Sequence, residues 1–199
     1  QGYSSAASDV YKRQMYDNIR RYVDYLNYTY PSGITDWGLG DWIPIKSHSS
    51  KELTSSIYYY VDTDILAKAA RILNKQQDYE KYSALAQKIK NSINARFLNE
   101  GTGIYCGGSQ TELSAPLYWG IVPEHLKELV AHNLAEKVSK DGSMDVGLLG
   151  SKTILNALSA NGYADLAYQL ASKETYPSWG WWIKLSLIHI SEPTRHAQI

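Results

Sequence analysis

A single cysteine, Cys106, in 199 residues excludes an internal disulfide framework and leaves the redox compartment open. No apolar run approaches the ~20 residues that a membrane-spanning helix needs. Neither sign of charge prevails, since 20 Lys+Arg face 20 Asp+Glu. Nothing therefore steers the chain toward nucleic acid or an anionic membrane surface. Strand-like alternation is lacking, as are a phosphate loop and a dinucleotide fingerprint. The spacing of helical segments is too irregular for a 34-residue helical repeat. Metal-ligand patterns are also lacking: His125 and His132 stand seven apart, beyond the two-ligand i, i+4 arrangement, and His48 is isolated. No metal and no cofactor is expected. Cys106 has no partner assigned by the sequence, so thiol chemistry is not expected either.

Against one Phe stand 17 Tyr and 6 Trp. Aromatics with a polar tip suit a surface that must be apolar and also form hydrogen bonds. The tryptophans concentrate in segments rich in turn residues. Gly33 to Pro44 reads GITDWGLGDWIP, with two Asp-Trp pairs, Asp36-Trp37 and Asp41-Trp42. Tyr176 to Trp182 reads YPSWGWW. Flat aromatic faces beside carboxylates form the residue chemistry of a sugar site, the rings meeting C–H surfaces and the carboxylates meeting hydroxyls. Burial of the same tryptophans in a long loop is the competing reading.

The rest of the chain is helical in pattern. Ile19, Tyr22, Val23 and Leu26 form a stripe over Met15 to Tyr28. Ser49 with Glu52 fits a capping box ahead of a long helix carrying Ile57, Val61, Ile65, Ala69 and Ile72, which Asn74 ends in the left-handed region. Asp78 is the expected cap of a helix with Tyr82, Leu85, Ala86, Ile89, Ile93 and Phe97. Ser109 and Glu112 form a second capping box, opening a short helix through Trp119. Pro123 starts a helix with Leu126, Val130, Leu134 and Val138, ending near Gly142. Two shorter helices follow, over 148–160 and 163–172. The fold class expected is all-α, seven or eight helices in antiparallel hairpins. Tight connections alternate with long aromatic ones, so the aromatic loops, with Trp42, Trp119 and Trp179, are expected at one end.

Glycoside hydrolysis usually needs two carboxyl groups about 5–10 Å apart. Carboxylates in irregular segments are Asp36, Asp41, Glu112 and Asp145. Glu112 reads better as the helix-capping partner of Ser109, and Asp145 equally as a cap for the helix after Gly147. Asp36 and Glu112 are weak catalytic candidates, and no pair is compelling by spacing.

Five segments together resemble a known family: Gly40-Asp41-Trp42, Gln110-Thr111-Glu112-Leu113, Trp119-Gly120-Ile121-Val122-Pro123, Gly147-Leu148-Leu149-Gly150 and Tyr176-Pro177-Ser178-Trp179-Gly180. In this order they resemble the catalytic domain of bacterial α-L-rhamnosidases, over nearly all of Met15 to Ile183. The resemblance implies a six-hairpin α/α barrel, of which this chain would be a part. It implies inverting hydrolysis of terminal α-linked L-rhamnose by a glutamate acid and a glutamate base, without a metal. It also implies a periplasmic or extracellular address. Asp41 and Trp42 match the Gly-Asp-Trp loop that lines the sugar pocket, with Trp37 in the same loop. Tyr176 and Trp179 match the late aromatic segment, and Trp119 is a further pocket candidate. A rhamnoside and the remaining domains of the parent chain are the implied partners.

Departures from that pattern matter. The family's acidic-and-arginine motif, which carries the acid, is not found ahead of Gly40-Asp41-Trp42. The Gly-Ala-Thr-Thr context of the base is not found after Trp179. The two ends, QGYSSAASDVYKRQ over 1–14 and LSLIHISEPTRHAQI over 185–199, resemble translated sequencing-adapter read-through. The domain is therefore expected over 15–184, and Glu192 is not counted as the base. Both catalytic glutamates are expected to be missing, and the chain alone inactive. Two alternatives remain open at this point. One is a different α/α-barrel carbohydrate enzyme, glucoamylase-like or a lyase. The other is a helical scaffold that binds proteins, which the tryptophans in loops speak against.

Overall fold

The computed structural model describes residues 2–184, with side chains from residue 15 onward. The tail expected over 185–199, Glu192 included, and the side chains of residues 1–14 lie outside the described residues. Eight α-helices are present among the described residues: α1 (Gly2–Thr29), α2 (Lys51–Ile72), α3 (Gln76–Phe97), α4 (Gln110–Tyr118), α5 (Lys127–Asp141), α6 (Leu148–Ala160), α7 (Ala164–Ser172) and α8 (Trp179–Lys184). Two two-residue extended segments, Leu98–Asn99 and Ile104–Tyr105, flank a turn. No helix among the described residues is long and apolar enough to cross a membrane. The all-α expectation holds. The chain divides into two compact units.

The first unit comprises residues 1–40 and 49–99. Here α2 packs on α1 and α3. The α3 stripe Tyr82, Leu85, Ala86, Ile89 and Ile93 is buried as its spacing predicts. On α2 the stripe is only partly right. Ile57 and Val61 are buried, but Ile65 and Ile72 are exposed, while Leu53, Leu66, Ala67 and Ala70 are buried instead. A helix covered on two sides does not keep one apolar stripe.

Two caps differ from expectation. The N-cap of α2 is Ser50, not Ser49, and its hydroxyl accepts the Leu53 N–H at 3.2 Å. Glu52 reaches across to Arg96 at 3.2 Å instead of closing a capping box. Asp78 does not cap α3 either, since Lys75 holds that position without a side-chain bond. Asp78 accepts the Tyr16 hydroxyl at 2.7 Å. In both cases a long-range partner competes with the local one. Asn74 does take the left-handed conformation, at φ 55°.

Among the described residues, the second unit comprises 41–48 and 100–184. Its helix directions follow from named contacts. Gly150 lies against Thr111, and Thr153 lies 2.9 Å from Ser114 (hydroxyl to hydroxyl), so α4 and α6 run parallel. Asp141 at the end of α5 accepts from Gln110 at the start of α4, so α5 runs the opposite way. Leu126, Val130, Leu134 and Val138 fill the core between them, as the spacing of four predicts. Pro123 caps a single 3-10 turn, Glu124–Leu126, that leads into α5. Gly142 closes α5 at φ 66°.

Candidate functional site

The start of α4, the end of α5 and the start of α6 share one end of the second unit. The connection after α7 joins them there, because the Lys173 ammonium donates to the Gly142 carbonyl. Segment 41–48 lies at the same end.

Asp41 anchors that segment. The residue is 7% exposed. Its Oδ2 accepts the Thr111 hydroxyl at 2.5 Å and the Gly147 N–H at 2.8 Å. Its Oδ1 accepts the N–H groups of Leu149 at 2.9 Å and Gly150 at 3.0 Å. Those amides belong to the first turn of α6, whose N–H groups have no intrahelical partner. The carboxylate thus caps a helix from a segment more than a hundred positions away, where the positive end of the helix dipole favours negative charge. The Trp42 carbonyl joins in, accepting the Leu148 N–H at 2.9 Å. The approach requires Gly147, since a Cβ there would stand 2.5 Å from the Trp42 carbonyl oxygen.

A second carboxylate holds the other end of the segment. Asp145 accepts the Lys46 N–H at 2.7 Å and the Ser47 hydroxyl at 2.5 Å, with the Ser47 N–H at 3.1 Å. Partial burial pushes the Asp145 carboxyl up. The Ser47 hydroxyl, the two amides and the Lys137 ammonium outweigh that and hold it below its ordinary value. Gln110, 1% exposed, fixes this loop in turn. Its amide donates to Asp141 at 2.8 Å and to the Ser143 carbonyl at 2.9 Å, and its carbonyl accepts the Asp145 N–H at 2.9 Å.

Between the two anchors the side chains face water. Trp42 is 56% exposed and Ile43 67%. Ile43 is held at φ 56°, sparsely populated for a β-branched residue. At the same end, the Ser178 hydroxyl accepts the Trp181 N–H at 3.1 Å and donates to the Thr175 carbonyl at 2.9 Å. Ser178 thereby turns the aromatic segment, expected as a loop, into the short helix α8 that begins at Trp179. Tyr176 and Trp179 are both exposed.

Other candidates fall elsewhere. Trp119 is the C-cap of α4, at the opposite end from Trp42, so these two do not share a pocket wall. Its ring packs edge-on against Tyr118, 4.7 Å between centroids, with the Lys152 ammonium over it at 5.0 Å. Trp37 and Asp36 belong to the first unit, where the backbone is pinned by Thr35. The Thr35 N–H donates to the Ser56 hydroxyl at 3.0 Å, which donates back to the Thr35 carbonyl at 3.2 Å. Trp37 and Asp36 are exposed. Glu112 forms the expected capping box with Ser109. Its Oε2 accepts from Ser109 at 2.9 Å and from Gly107 at 3.1 Å. Among the described residues no group of His, Cys, Asp and Glu is arranged to hold a metal ion. Sequence reasoning missed Thr111, Gln110 and Ser47, whose partners are far off in the chain. Only the Gln-Thr-Glu run hinted at the first two.

A family model, the bacterial alpha-L-rhamnosidase 6 hairpin glycosidase domain, matches residues 3–187. The chain belongs to this family. Its fold is a partial six-hairpin α/α barrel. Among curated relatives, an alpha-L-rhamnosidase of Streptomyces avermitilis is 28% identical over 145 residues, covering 72% of this chain and 14% of its own length. The solved alpha-L-rhamnosidase from Dictyoglumus thermophilum matches at TM-score 0.83 and 33% identity, over 90% of this chain and 21% of that one. The Streptomyces avermitilis enzyme complexed with L-rhamnose matches in fold at TM-score 0.84 and 24% identity, over 89% of this chain and 17% of that one. The chain therefore spans about a fifth or less of these relatives.

Proposed function

We propose that this chain is part of the catalytic domain of an α-L-rhamnosidase, which removes terminal α-linked L-rhamnose with inversion, and that it contributes walls of the sugar pocket. The observation that carries this reading is Trp42. It is an indole exposed on a segment anchored at both ends, at the end where α4, α6 and α8 begin, within a chain of this family. Exposed rings on fixed backbone suit a pyranose C–H face. Trp179 and Tyr176, exposed at the same end of the second unit, are the second wall. L-rhamnose is the sugar held by the Streptomyces avermitilis relative.

The acid and the base are not assigned to any described residue. Glycosidase acid and base groups must reach substrate and water. Asp41, Glu112 and Asp145 are all engaged by protein donors. Asp36 is left without a suitable partner carboxylate within its own unit's loop. The chain alone is therefore expected to release no aryl group from an aryl α-L-rhamnoside, whereas the longer gene product that contains it releases rhamnose. Turnover by the 199-residue chain above a no-protein blank overturns the inactivity. A longer product that hydrolyses another glycoside and not this one overturns the substrate.

A further inference from the structure

We infer that Asp41 is a positioning residue that acts through Trp42, fixing the indole at the mouth of α6, and that it does not itself touch the sugar. The inference takes its substrate from the rhamnosidase reading above. A carboxylate offers about four lone-pair sites. At Asp41 four protein donors fill them: the Thr111 hydroxyl and the amides of Gly147, Leu149 and Gly150, at 2.5 to 3.0 Å. With the residue 7% exposed, no acceptor is left for a sugar hydroxyl. What Asp41 controls is the next residue. The Trp42 carbonyl is held by the Leu148 N–H at 2.9 Å, in the same first turn that Asp41 caps.

The far anchor makes this a two-point clasp. Asp145 holds the Lys46 and Ser47 amides, so residues 42–45 bridge two fixed points. Ile43 sits in that bridge at φ 56°. Such a conformation persists where the surroundings over-determine it. A bridge of this kind presents Trp42 already ordered, which removes an ordering cost from binding. Releasing the Asp41 end should leave the indole present and misplaced.

The test is a double-mutant cycle in the full-length enzyme containing this domain, read as KM and kcat on an aryl α-L-rhamnoside. Asp41→Asn puts an NH2 against two N–H donors. Thr111→Val removes one donor with little change of volume. Asp41→Asn and Trp42→Ala should each raise KM about 10- to 100-fold, with kcat changed less. The double variant should be no worse than Trp42→Ala alone, because both act through one ring. Thr111→Val should shift KM the same way by a smaller factor. Losses that multiply in the double variant, or a wild-type KM in Thr111→Val, overturn the inference. If the wild-type enzyme leaves the rhamnoside intact, the functional reading fails instead. The clasp is then judged by amide exchange in this chain. Asp41→Asn and Thr111→Val should speed exchange at Leu148, Leu149 and Gly150 and leave α5 unchanged. Unaltered exchange at Leu148 overturns the coupling to Trp42.

Discussion

Replacing Gly150 by Ala sets two effects of opposite sign against each other. Gly150 is the third residue of α6 and is buried. Inside a helix, Ala is normally better than Gly by about 0.5–1 kcal/mol. Here the added methyl would overlap the Thr111 hydroxyl and stand 2.6 Å from Val146 Cβ and 2.8 Å from Val146 Cγ1. Val146 Cβ is fixed to backbone and cannot swing away. Thr111 can rotate only by giving up its bond to the Asp41 carboxylate, and a hydrogen bond to a charged group contributes about 1.5–3 kcal/mol. Separating α4 from α6 instead carries an overpacking cost of about 1–3 kcal/mol. Sterics should win over propensity, for a net loss of about 2–4 kcal/mol.

For a chain of this size, about 1 kcal/mol moves Tm by roughly 2–4 °C, so Gly150→Ala should lower it by roughly 5–15 °C in thermal unfolding followed by far-UV circular dichroism. The double change Gly150→Ala with Thr111→Ala should cost less than the sum of the two singles, because removing the Thr111 hydroxyl makes room for the methyl. A Gly150→Ala protein as stable as the wild type refutes the reasoning. It would mean that α4 and α6 do not meet at Thr111 and Gly150, and the parallel register would have to be abandoned.

Two further predictions concern the carboxylates. Glu112→Gln keeps an acceptor for the Gly107 and Ser109 amides, so kcat of the full-length enzyme should stay within about tenfold of wild type. A loss beyond about a thousandfold would instead make Glu112 catalytic. The Asp145 carboxyl is held lower in the folded protein than in the unfolded chain. Its stabilising contribution is therefore complete above the ordinary carboxylate value of about 3.9 and is lost as pH falls through the lower folded value. Protection of the Lys46 and Ser47 amides should hold from pH 7 to 5 and fall away below about pH 4, with Asp145→Asn abolishing the acid step. Loss of that protection between pH 7 and 5 would show that another group titrates the loop.

How far the sequence could be read depends on how far away each partner lies. The apolar stripes of α3 and α5 are local patterns, and every position named from spacing on α5 is buried. The Ser109–Glu112 box and the left-handed Asn74 are local too, and both are present. Errors arise where a distant group takes over a local role. Glu52 looks like a capping partner until Arg96 is brought beside it, and Asp78 looks like a cap until Tyr16 is. The Trp179 segment looks like a loop because Gly180 and Pro177 interrupt it, yet Ser178 caps a short helix there. The alternation of tight and long connections groups Trp119 with the other tryptophans. The direction of α4 sends it to the other end.

Asp41 shows why residue type and neighbourhood are insufficient for a role. An aspartate beside an exposed tryptophan in a turn-rich segment has the composition of a sugar-binding pair, and nothing within ten residues argues otherwise. Its four donors come from positions 70 to 109 residues later, three of them backbone amides that no side-chain identity announces. The glycines of the Gly-Leu-Leu-Gly run are the trace these contacts leave in the sequence. Gly147 admits the Asp41 and Trp42 carbonyls, and Gly150 admits Thr111. Read alone, that run is a weak helix start. Read together with Asp41, it is a socket, which separates the residue that holds the backbone from the ring that is free to meet a sugar.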